Sequence, residues 1–500
     1  IKSTIGVTSG KWYAEARANG SGTPLSVGIV RYDHGNTYFG GSASDVAYAY
    51  LSDGRKATTN DSRSTFASSW TTGDVIGIAF DCDNGTVSFY KSGTTQGQAF
   101  SGITPSDGPW FFASGDDSNS GNSDITWNFG QKPFQDSPPD GYKPLCTQNL
   151  PSSLNPSKHF DVASYVGNGG TQNVNGFGFG PDLVFIKSRA ATYDMAAFDQ
   201  PRGVNKRLRP TTDAAEGTDT TTLTAFGTDG FTSGSDDVTN KVNDLYTAWM
   251  WDAGTTGGAN TDGSINISSG NQWLNATAGF SITKWTGTNA NATIGHGLNA
   301  VPEFIILKRL GTTSDWGVYH KNVGNTGRLK LNTDGVTSTD STFWQDTSPT
   351  NSVFSVGTSG DSNGHTEDVV AYSWTPIEGY SRFGTYEGTN GNYGQFVYLG
   401  FRPALVIIKG IDAAANWVSY DSRRNPQNRD KGHASNKLYR YISISQNNVE
   451  NSTSGKEAIE IYSNGFRPGY SATNTNDQTN ENTLVYAAWA AQPFKTARST

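Results

Sequence analysis

Short runs in which hydrophobic and polar residues alternate fill the first 135 positions of the chain. The runs Lys11–Ala16 and Leu25–Ile29 alternate with a period of two, which predicts strands with one buried face. Two further runs, 74–80 and 86–90, flank Asn84-Gly85. This dipeptide predicts a β-hairpin, because glycine adopts positive φ without steric cost. The last strands predicted in this region are 109–113 and 125–130.

A continuous apolar run bounded by proline and lysine occurs three times in the rest of the chain, at 181–187, 302–308 and 403–409. Runs of this kind predict strands buried on both faces. Each lies between an aromatic-led strand and an aromatic-polar strand, and each unit closes on a strand with tryptophan: Trp249, Trp374 and Trp489. Recurrence in register favours core packing of these rings over ligand stacking. The sequence therefore predicts three related domains.

The predicted fold class is all-β, with one β-sandwich followed by three tandem related β-sandwich domains. The predicted boundaries are 1–135 for the sandwich, 136–158 for a Pro-rich linker, 159–254 for repeat 1, 255–278 for a Gly-rich linker and strand, 279–379 for repeat 2 and 380–500 for repeat 3. The glycines at 254–258 predict a flexible junction between repeats 1 and 2. The short connection at 375–380 predicts that repeats 2 and 3 pack rigidly end to end.

Composition agrees with this interpretation. Hydrophobic residues are 34% of the chain and aromatic residues 12%, which indicates thin cores built on large rings rather than disorder. The net charge of −8 comes without any basic stripe, so no nucleic-acid partner is expected. No apolar run approaches the roughly 20 residues of a membrane span, so no membrane insertion is expected. The two cysteines, Cys82 and Cys146, favour thiols over a disulfide framework.

Candidate chemistry is sparse, and the sequence predicts no catalytic residue, no metal site and no cofactor. The nearest carboxylate pair, Asp81 and Asp83, lies beside the predicted hairpin turn, where such side chains bind the local backbone. Glu15 stands alone, and we expect it to be solvent-facing or paired. The histidines lack metal-ligand spacing. The most attractive binding loop spans 31–38, where Arg31, Tyr32, His34 and Tyr38 offer rings and hydrogen-bonding groups.

The first 135 residues resemble a SPRY domain. The motifs that carry the resemblance are Gly10-Lys11-Trp12-Tyr13-Ala14-Glu15, Gly73-Asp74-Val75-Ile76-Gly77, Asp83-Asn84-Gly85-Thr86-Val87-Ser88-Phe89-Tyr90 and Asn128-Phe129-Gly130-Gln131-Lys132-Pro133-Phe134. The resemblance implies a concanavalin-like, bent two-sheet sandwich that binds protein partners through its loops and has no catalytic activity. Only ten residues precede Lys11, so the family's opening strand is expected to be short or missing, and Ile1 to be a processed or truncated start.

Residues 137–495 resemble an uncharacterised β repeat domain of marine bacteriophage virion proteins, including those of cyanophages. The resemblance rests on Tyr142-Lys143-Pro144-Leu145-Cys146-Thr147, on Glu378-Gly379-Tyr380-Ser381-Arg382-Phe383-Gly384, on Val397-Tyr398-Leu399-Gly400-Phe401-Arg402-Pro403 and on a turn phrase that recurs at 228–231, 333–336 and 463–466. It implies a structural or adhesive role.

The functional hypothesis is a non-enzymatic tail-fibre or receptor-binding protein on the virion surface, assembled in the host cytoplasm. Its expected partners are a host cell-surface glycan or protein, other virion proteins and, as a possible homo-oligomer, two further copies in a trimer. A head-decorating capsid fibre, a polysaccharide depolymerase and a secreted bacterial adhesin remain alternatives.

Overall fold

The computed structural model describes residues 1–20, 25–32, 34, 46–116, 124–150, 154–364, 366–389, 394–424, 437–452, 459–469, 474–476 and 482–493. The chain divides into two compact units, Ile1–Ser152 (unit 1) and Ser153–Thr500 (unit 2). Both are built almost entirely of β-strands, as the alternation of apolar and polar residues predicts. Within the described residues, no helix is long and apolar enough to span a bilayer.

Unit 1 consists of two sheets, with strand orders β1-β10-β3-β4-β5-β6 and β11-β2-β7-β8-β9, and β12 pairs in parallel with β2. Rings from the two sheets meet between them, as in Tyr50 and Phe89, whose centroids are 5.3 Å apart. The predicted sandwich is confirmed. The strands are β1 (Lys2–Val7), β2 (Lys11–Ala18), β3 (Leu25–Arg31), β4 (Ala47–Leu51), β5 (Arg55–Thr58), β6 (Ser62–Thr65), β7 (Val75–Asp81), β8 (Thr86–Lys91), β9 (Thr94–Phe100), β10 (Trp110–Asp116), β11 (Ile125–Asn128) and β12 (Lys143–Pro144).

The predicted hairpin joins β7 to β8, which pair from Ile76 with Lys91 to Asp81 with Thr86. Gly85 has φ of +62°, and a Cβ there would lie 2.0 Å from the carbonyl oxygen of Ile103. Both the conformation and the close approach therefore require glycine. The opening strand expected to be short or missing is present as β1, six residues that pair with β10.

The Pro-rich segment differs from a free linker, because part of it belongs to unit 1. β12 extends the sheet beside β2, and Glu15, buried in β2, accepts hydrogen bonds from the amides of Gln135 (3.0 Å) and Asp136 (2.8 Å). A carboxylate that receives backbone N–H groups fixes the direction in which the chain leaves the sheet.

The strands of unit 2 are β13 (Phe160–Val166), β14 (Gln172–Asn175), β15 (Leu183–Ser188), β16 (Ala196–Asp199), β17 (Lys206–Arg207), β18 (Gly217–Thr218), β19 (Leu223–Gly227), β20 (Gly230–Ser233), β21 (Leu245–Trp251), β22 (Thr255–Thr256), β23 (Gln272–Asn275), β24 (Phe280–Thr286), β25 (Ala292–Gly295), β26 (Phe304–Arg309), β27 (Gly317–His320), β28 (Gly327–Lys330), β29 (Ser338–Thr339), β30 (Val353–Val356), β31 (Asp368–Trp374), β32 (Ser381–Glu387), β33 (Val397–Tyr398), β34 (Phe401–Gly410), β35 (Val418–Asp421), β36 (Lys437–Leu438), β37 (Arg440–Ser443), β38 (Asn451–Ser452), β39 (Ile459–Tyr462), β40 (Gly465–Pro468) and β41 (Thr483–Pro493). The short helices are α1 (Asp237–Asn240), α2 (Ser341–Trp344) and α3 (Gly360–Asn363).

One strand order recurs in the three repeats. In the main sheet of each repeat, the last strand lies between the first strand and the apolar strand, and the aromatic-polar strand follows on the other side of the apolar strand. The orders are β13-β21-β15-β16, β24-β31-β26-β27 and β32-β41-β34-β35. A smaller sheet accompanies each: β14-β20-β19, β25-β30 and β33-β40-β39-β36. The common order of elements predicted from the sequence is thus present.

The apolar strands are buried on both faces, as predicted. In β15, Leu183 and Phe185 belong to a core shared with the other repeats, whereas Val184 and Ile186 face the small sheet of their own repeat. β26 and β34 divide in the same way. Successive side chains of a strand point to opposite faces, so a run without polar residues serves two cores at once.

A shared core, here called the central core, holds the three repeats together. Trp251, Trp374 and Trp489 meet there with ring centroids 5.9, 5.3 and 5.6 Å apart. The prediction that Trp249, Trp374 and Trp489 are core residues is confirmed. The prediction that these three tryptophans occupy equivalent positions is wrong for repeat 1, where Trp251 and not Trp249 is equivalent to Trp374. Trp251 pairs with Leu183 as Trp374 pairs with Phe304. Trp249 lies two residues earlier and therefore on the same face of its strand.

Three buried lysines form hydrogen bonds between neighbouring repeats. Each ends an apolar strand and donates from Nζ to a backbone carbonyl of another repeat: Lys187 to Asn447 (3.2 Å), Lys308 to Asp213 (3.1 Å) and Lys409 to Asp334 (3.2 Å). Repeat 1 thus binds repeat 3, repeat 2 binds repeat 1 and repeat 3 binds repeat 2. The contacts close a ring of repeats, whereas the sequence predicted a flexible junction followed by end-to-end packing. The short segments that connect the repeats carry no information on the shared core, in which the main sheets of all three repeats bury one another.

Burial lowers the pKa of Lys187, Lys308 and Lys409 to about 8. Between this pKa and the ordinary value near 10.5 the unfolded chain binds more protons than the folded chain, so stability rises with pH in that window. We expect the free energy of unfolding of unit 2 to increase by about 1 kcal/mol per lysine between pH 7 and pH 9. Urea unfolding across this range measures the effect. Lys308→Met should reduce the slope, and an unchanged slope would contradict the assignment.

Candidate binding surfaces

The binding loop predicted at 31–38 begins where β3 ends. Arg31 is half-buried and lies beside Trp110, the first residue of β10. Tyr32 is 39% exposed, whereas His34 is buried and its amide donates to the carbonyl oxygen of Arg31 (3.1 Å). The structure therefore presents Tyr32 to solvent and turns His34 inward. Tyr38 lies outside the described residues.

Neighbouring strands add groups to Arg31 and Tyr32 that the sequence analysis missed. Lys2 Nζ donates to the carbonyl oxygen of Tyr32 (3.1 Å) and lies 5.5 Å from the ring centroid of Phe111. These residues are far apart in sequence and come together because β10 pairs with β1 on one side and with β3 on the other. We name Lys2, Arg31, Tyr32 and Phe111 the cation–aromatic rim.

The electrostatics of the rim are mixed. Burial is the main cause that raises the pKa of Tyr48, which packs on Trp110 with a centroid distance of 5.8 Å. The nearby Asp107 raises this pKa further, and Arg31 opposes the shift. Two cations, one carboxylate and the exposed ring of Tyr32 can bind a partner by charge-assisted hydrogen bonds and by ring stacking, whereas Phe111 and Trp110 are buried.

The carboxylates considered for catalysis have structural partners. Asp81 accepts from the amide (3.0 Å) and side chain (2.9 Å) of Asn84 and pairs with Lys11 at 2.9 Å. Burial pushes the pKa of Asp81 up, but these contacts outweigh it and hold the pKa below its ordinary value. Asp83 accepts from the amide of Gly10 (2.7 Å), and Glu15 is paired as described above. These contacts assign the three carboxylates to turns and strand connections.

Metal and thiol chemistry receive no geometric support in the described part of the chain. No three residues among its His, Cys, Asp and Glu side chains converge as a metal site. Cys82 is buried, Cys146 is partly buried, and no disulfide joins them.

A second surface lies in repeat 1, between the edge strands β13 and β14. It is a groove of about 420 Å³, lined by residues of both strands and by Arg423 of repeat 3. Asp161 Oδ1 lies 3.6 Å from Arg423 Nη2. Burial raises the pKa of Asp161, and Arg423 partly offsets that shift. The sequence carries no signal for this groove, because Asp161 and Arg423 meet only through the ring of repeats.

Unit 1 contains a SPRY domain, and unit 2 consists of three β repeats that share one core. The SPRY domain model matches residues 11–130. The model of a domain of unknown function, DUF7483, matches residues 155–493, and the chain belongs to that family.

Known proteins and solved structures are similar to about a fifth to a quarter of the chain. The E3 ubiquitin-protein ligase RKP of Arabidopsis thaliana is 37% identical over 103 residues, which are 20% of this chain and 8% of that protein. The chain thus spans a small part of that relative. The crystal structure of the SPRY domain of human HERC1 is 22% identical with a TM-score of 0.20, over 23% of this chain and 70% of that one. A human SPRY domain structure is 19% identical with a TM-score of 0.19, over 23% and 74%.

Proposed function

We propose that the chain is a non-enzymatic adhesion protein of a bacteriophage virion surface, as a tail fibre or receptor-binding protein. In this proposal the SPRY domain contacts a host cell-surface glycan or protein, and unit 2 is a rigid scaffold. The observation that carries it is the cation–aromatic rim, where Tyr32 is exposed beside Lys2 and Arg31. Rings and cations together suit partner recognition, whereas Asp81, Asp83 and Glu15 are engaged in structural contacts.

The ring of repeats supports the scaffold part of the proposal. The carbonyl partners of the three lysines lie within one chain, so two further copies are not needed to complete the central core. Large buried rings in a shared core resist local opening, which suits a protein that transmits force between a particle and a cell. A trimer, if formed, would use other surfaces.

The binding role is tested with Arg31→Glu in the full chain. We expect at least a ten-fold loss of binding to host cells, because the change reverses the charge next to Tyr32. Arg17→Glu is the matched control, since Arg17 is exposed on β2 of the other sheet and the change in net charge is the same. Flow cytometry of labelled protein on host cells measures binding. Equal loss in both variants, or no loss in either, contradicts the role of the rim.

The virion location is tested by immunogold labelling of intact particles with antibodies against unit 2. Gold at the tail supports the tail-fibre assignment, and gold on the head selects a capsid fibre. Unlabelled particles contradict the proposal. New reducing ends released from host envelope glycan by the purified protein would revive the depolymerase alternative.

A further inference from the structure

The groove of repeat 1 corresponds to a position that repeat 2 fills with its own residues. Phe160 of β13 pairs with Trp251 as Phe280 of β24 pairs with Trp374. On the small sheets, Val174 of β14 pairs with Phe231. The pairing of Ile294 in β25 with Phe354 is its counterpart in repeat 2. The edge strands β13 and β14 are therefore the counterparts of β24 and β25.

In repeat 2, the segment 260–275 covers both edge strands. β23 pairs antiparallel with β24, from Gln272 opposite Thr283 to Asn275 opposite Phe280. Ile265 forms a parallel bridge with Ile294. Ile267, two residues after Ile265, is buried in the core between the two sheets. The segment folds back on itself between Asn260 and Ile267, which form an antiparallel bridge, and then continues as β23; together the two parts close the sandwich.

One carboxamide joins the two sheets under this cover. Gln272 is 1% exposed. Its Nε2 donates to Thr283 Oγ1 (2.9 Å) on one sheet and to the carbonyl oxygen of Gly295 (2.8 Å) on the other. The corresponding positions of repeat 1 are Ala163 and Asn175. A carboxamide at this place in repeat 1 could therefore donate to the backbone carbonyl of Asn175. It would lack the hydroxyl acceptor, because Ala163 replaces Thr283.

In repeat 1 the edge is open among the described residues, where β13 pairs with β21 alone. The amide of Gly167 donates to the carbonyl oxygen of Asp244, and alternation along the strand turns the amide of Ser164 outward, away from β21. In repeat 2, the outward amide of the corresponding Lys284 donates to the carbonyl oxygen of Asn271 (2.8 Å). Ser164 therefore offers one of the main-chain donors that a covering strand uses, whereas the next outward amide, that of Val162, donates to Asp161 Oδ1 (2.7 Å).

We propose that the groove of repeat 1 binds a segment of a partner protein that adds one strand to β13 and places a preceding turn over β14, as the segment 260–275 does in repeat 2. The segment is mainly uncharged, because Asp161 and Arg423 already face each other there. It places two apolar side chains, two residues apart, against Val174 and one carboxamide between the sheets, as Ile265, Ile267 and Gln272 do in repeat 2. Main-chain hydrogen bonds supply affinity and the side-chain seats supply selectivity. The inference does not depend on the host-binding role of the SPRY domain.

The probe is a synthetic peptide with the sequence of residues 260–275, titrated into the full chain by fluorescence anisotropy. We expect saturable binding at repeat 1; repeat 2 retains its own copy of the segment, and because, in the described part of the chain, β32 of repeat 3 also pairs on one side only, the substitutions in β13 described below assign the site. The same peptide with Gln272→Leu should bind at least ten-fold more weakly. Absence of saturable binding, or equal binding of both peptides, overturns the proposal.

Substitutions in β13 locate the peptide. Ser164→Pro removes the outward amide and should weaken binding at least ten-fold, whereas Ser164→Ala keeps the amide and should bind as the unaltered chain does. Ala163→Thr supplies the hydroxyl of repeat 2 and should tighten binding several-fold, which keeps the test decisive if the proline variant fails to fold. Equal affinity of the unaltered chain and a folded Ser164→Pro variant, or no tightening with Ala163→Thr, overturns the proposal. A concentration-dependent dimer that Ser164→Pro abolishes assigns the groove to a second copy and overturns it as well.

Discussion

Replacement of Trp374 by alanine should lower the free energy of unfolding of unit 2 by about 3–5 kcal/mol, the range for large aromatic rings in well-packed cores. Trp374 is 2% exposed. It contacts Trp251 and Trp489 with centroid distances of 5.9 and 5.6 Å, so the cavity would open between all three repeats. Urea unfolding monitored by circular dichroism measures the loss.

The matched control is Trp285→Ala, which removes a ring of the same size from the core between the two sheets of repeat 2. Hydrogen exchange should separate the two variants. We expect Trp374→Ala to accelerate exchange in β21 and β41, which carry Trp251 and Trp489, and Trp285→Ala to act mainly within repeat 2. Acceleration limited to repeat 2 in both variants would show that the repeats are energetically independent.

Replacement of Arg202 by methionine should cost about 3–5 kcal/mol, because it leaves a buried carboxylate without its counter-ion. Arg202 Nε donates to Asp199 Oδ2 at 2.6 Å, and the two side chains are 1% and 0% exposed. The same oxygen accepts from the hydroxyl of Tyr372 in repeat 2 (2.6 Å). The lost cation therefore affects a contact between repeats. Urea unfolding at pH 7 measures the cost.

The double variant Asp199→Asn with Arg202→Met should recover much of this loss, since no charge remains buried. Repeat 2 has an uncharged pair of side chains at the same place, because His320 and Val323 occupy the positions of Asp199 and Arg202. Burial lowers the pKa of His320 to about 4, so this imidazole is neutral near pH 7. Failure of the double variant to recover stability would mean that lost packing, not charge, is responsible.

A second Asp–Arg pair closes another interface of the ring. Arg424 Nε donates to Asp421 Oδ2, with both side chains fully buried, and Trp249 Nε1 of repeat 1 donates to the same oxygen (3.0 Å). At the third interface, His320 Nε2 lies 3.2 Å from the carbonyl oxygen of Tyr486 in repeat 3. One strand position thus supplies a polar contact at each interface in addition to the lysine contact, although the side chains differ.

Several features of the fold were predictable because they depend on local patterns. The Asn84-Gly85 hairpin follows from the freedom of glycine at positive φ, and the two-faced burial of β15, β26 and β34 follows from runs without a polar residue. The candidate site was predictable only in part. Arg31 and Tyr32 lie together at the end of β3, but Lys2 and Phe111 join them through pairing of distant strands, and His34 turns inward.

The sequence by itself determined the all-β class and the threefold recurrence of one strand order, because side-chain alternation and turn residues act over a few positions. The SPRY domain was recognised from the resemblance of its motifs to that family. The tertiary structure alone decided that three repeats share one core, that Lys187, Lys308 and Lys409 bind carbonyls of neighbouring repeats, and that a groove opens beside β13. Those contacts join residues far apart along the chain. Whether a face is buried by its own repeat or by the next depends on how the sheets assemble, which no local pattern encodes.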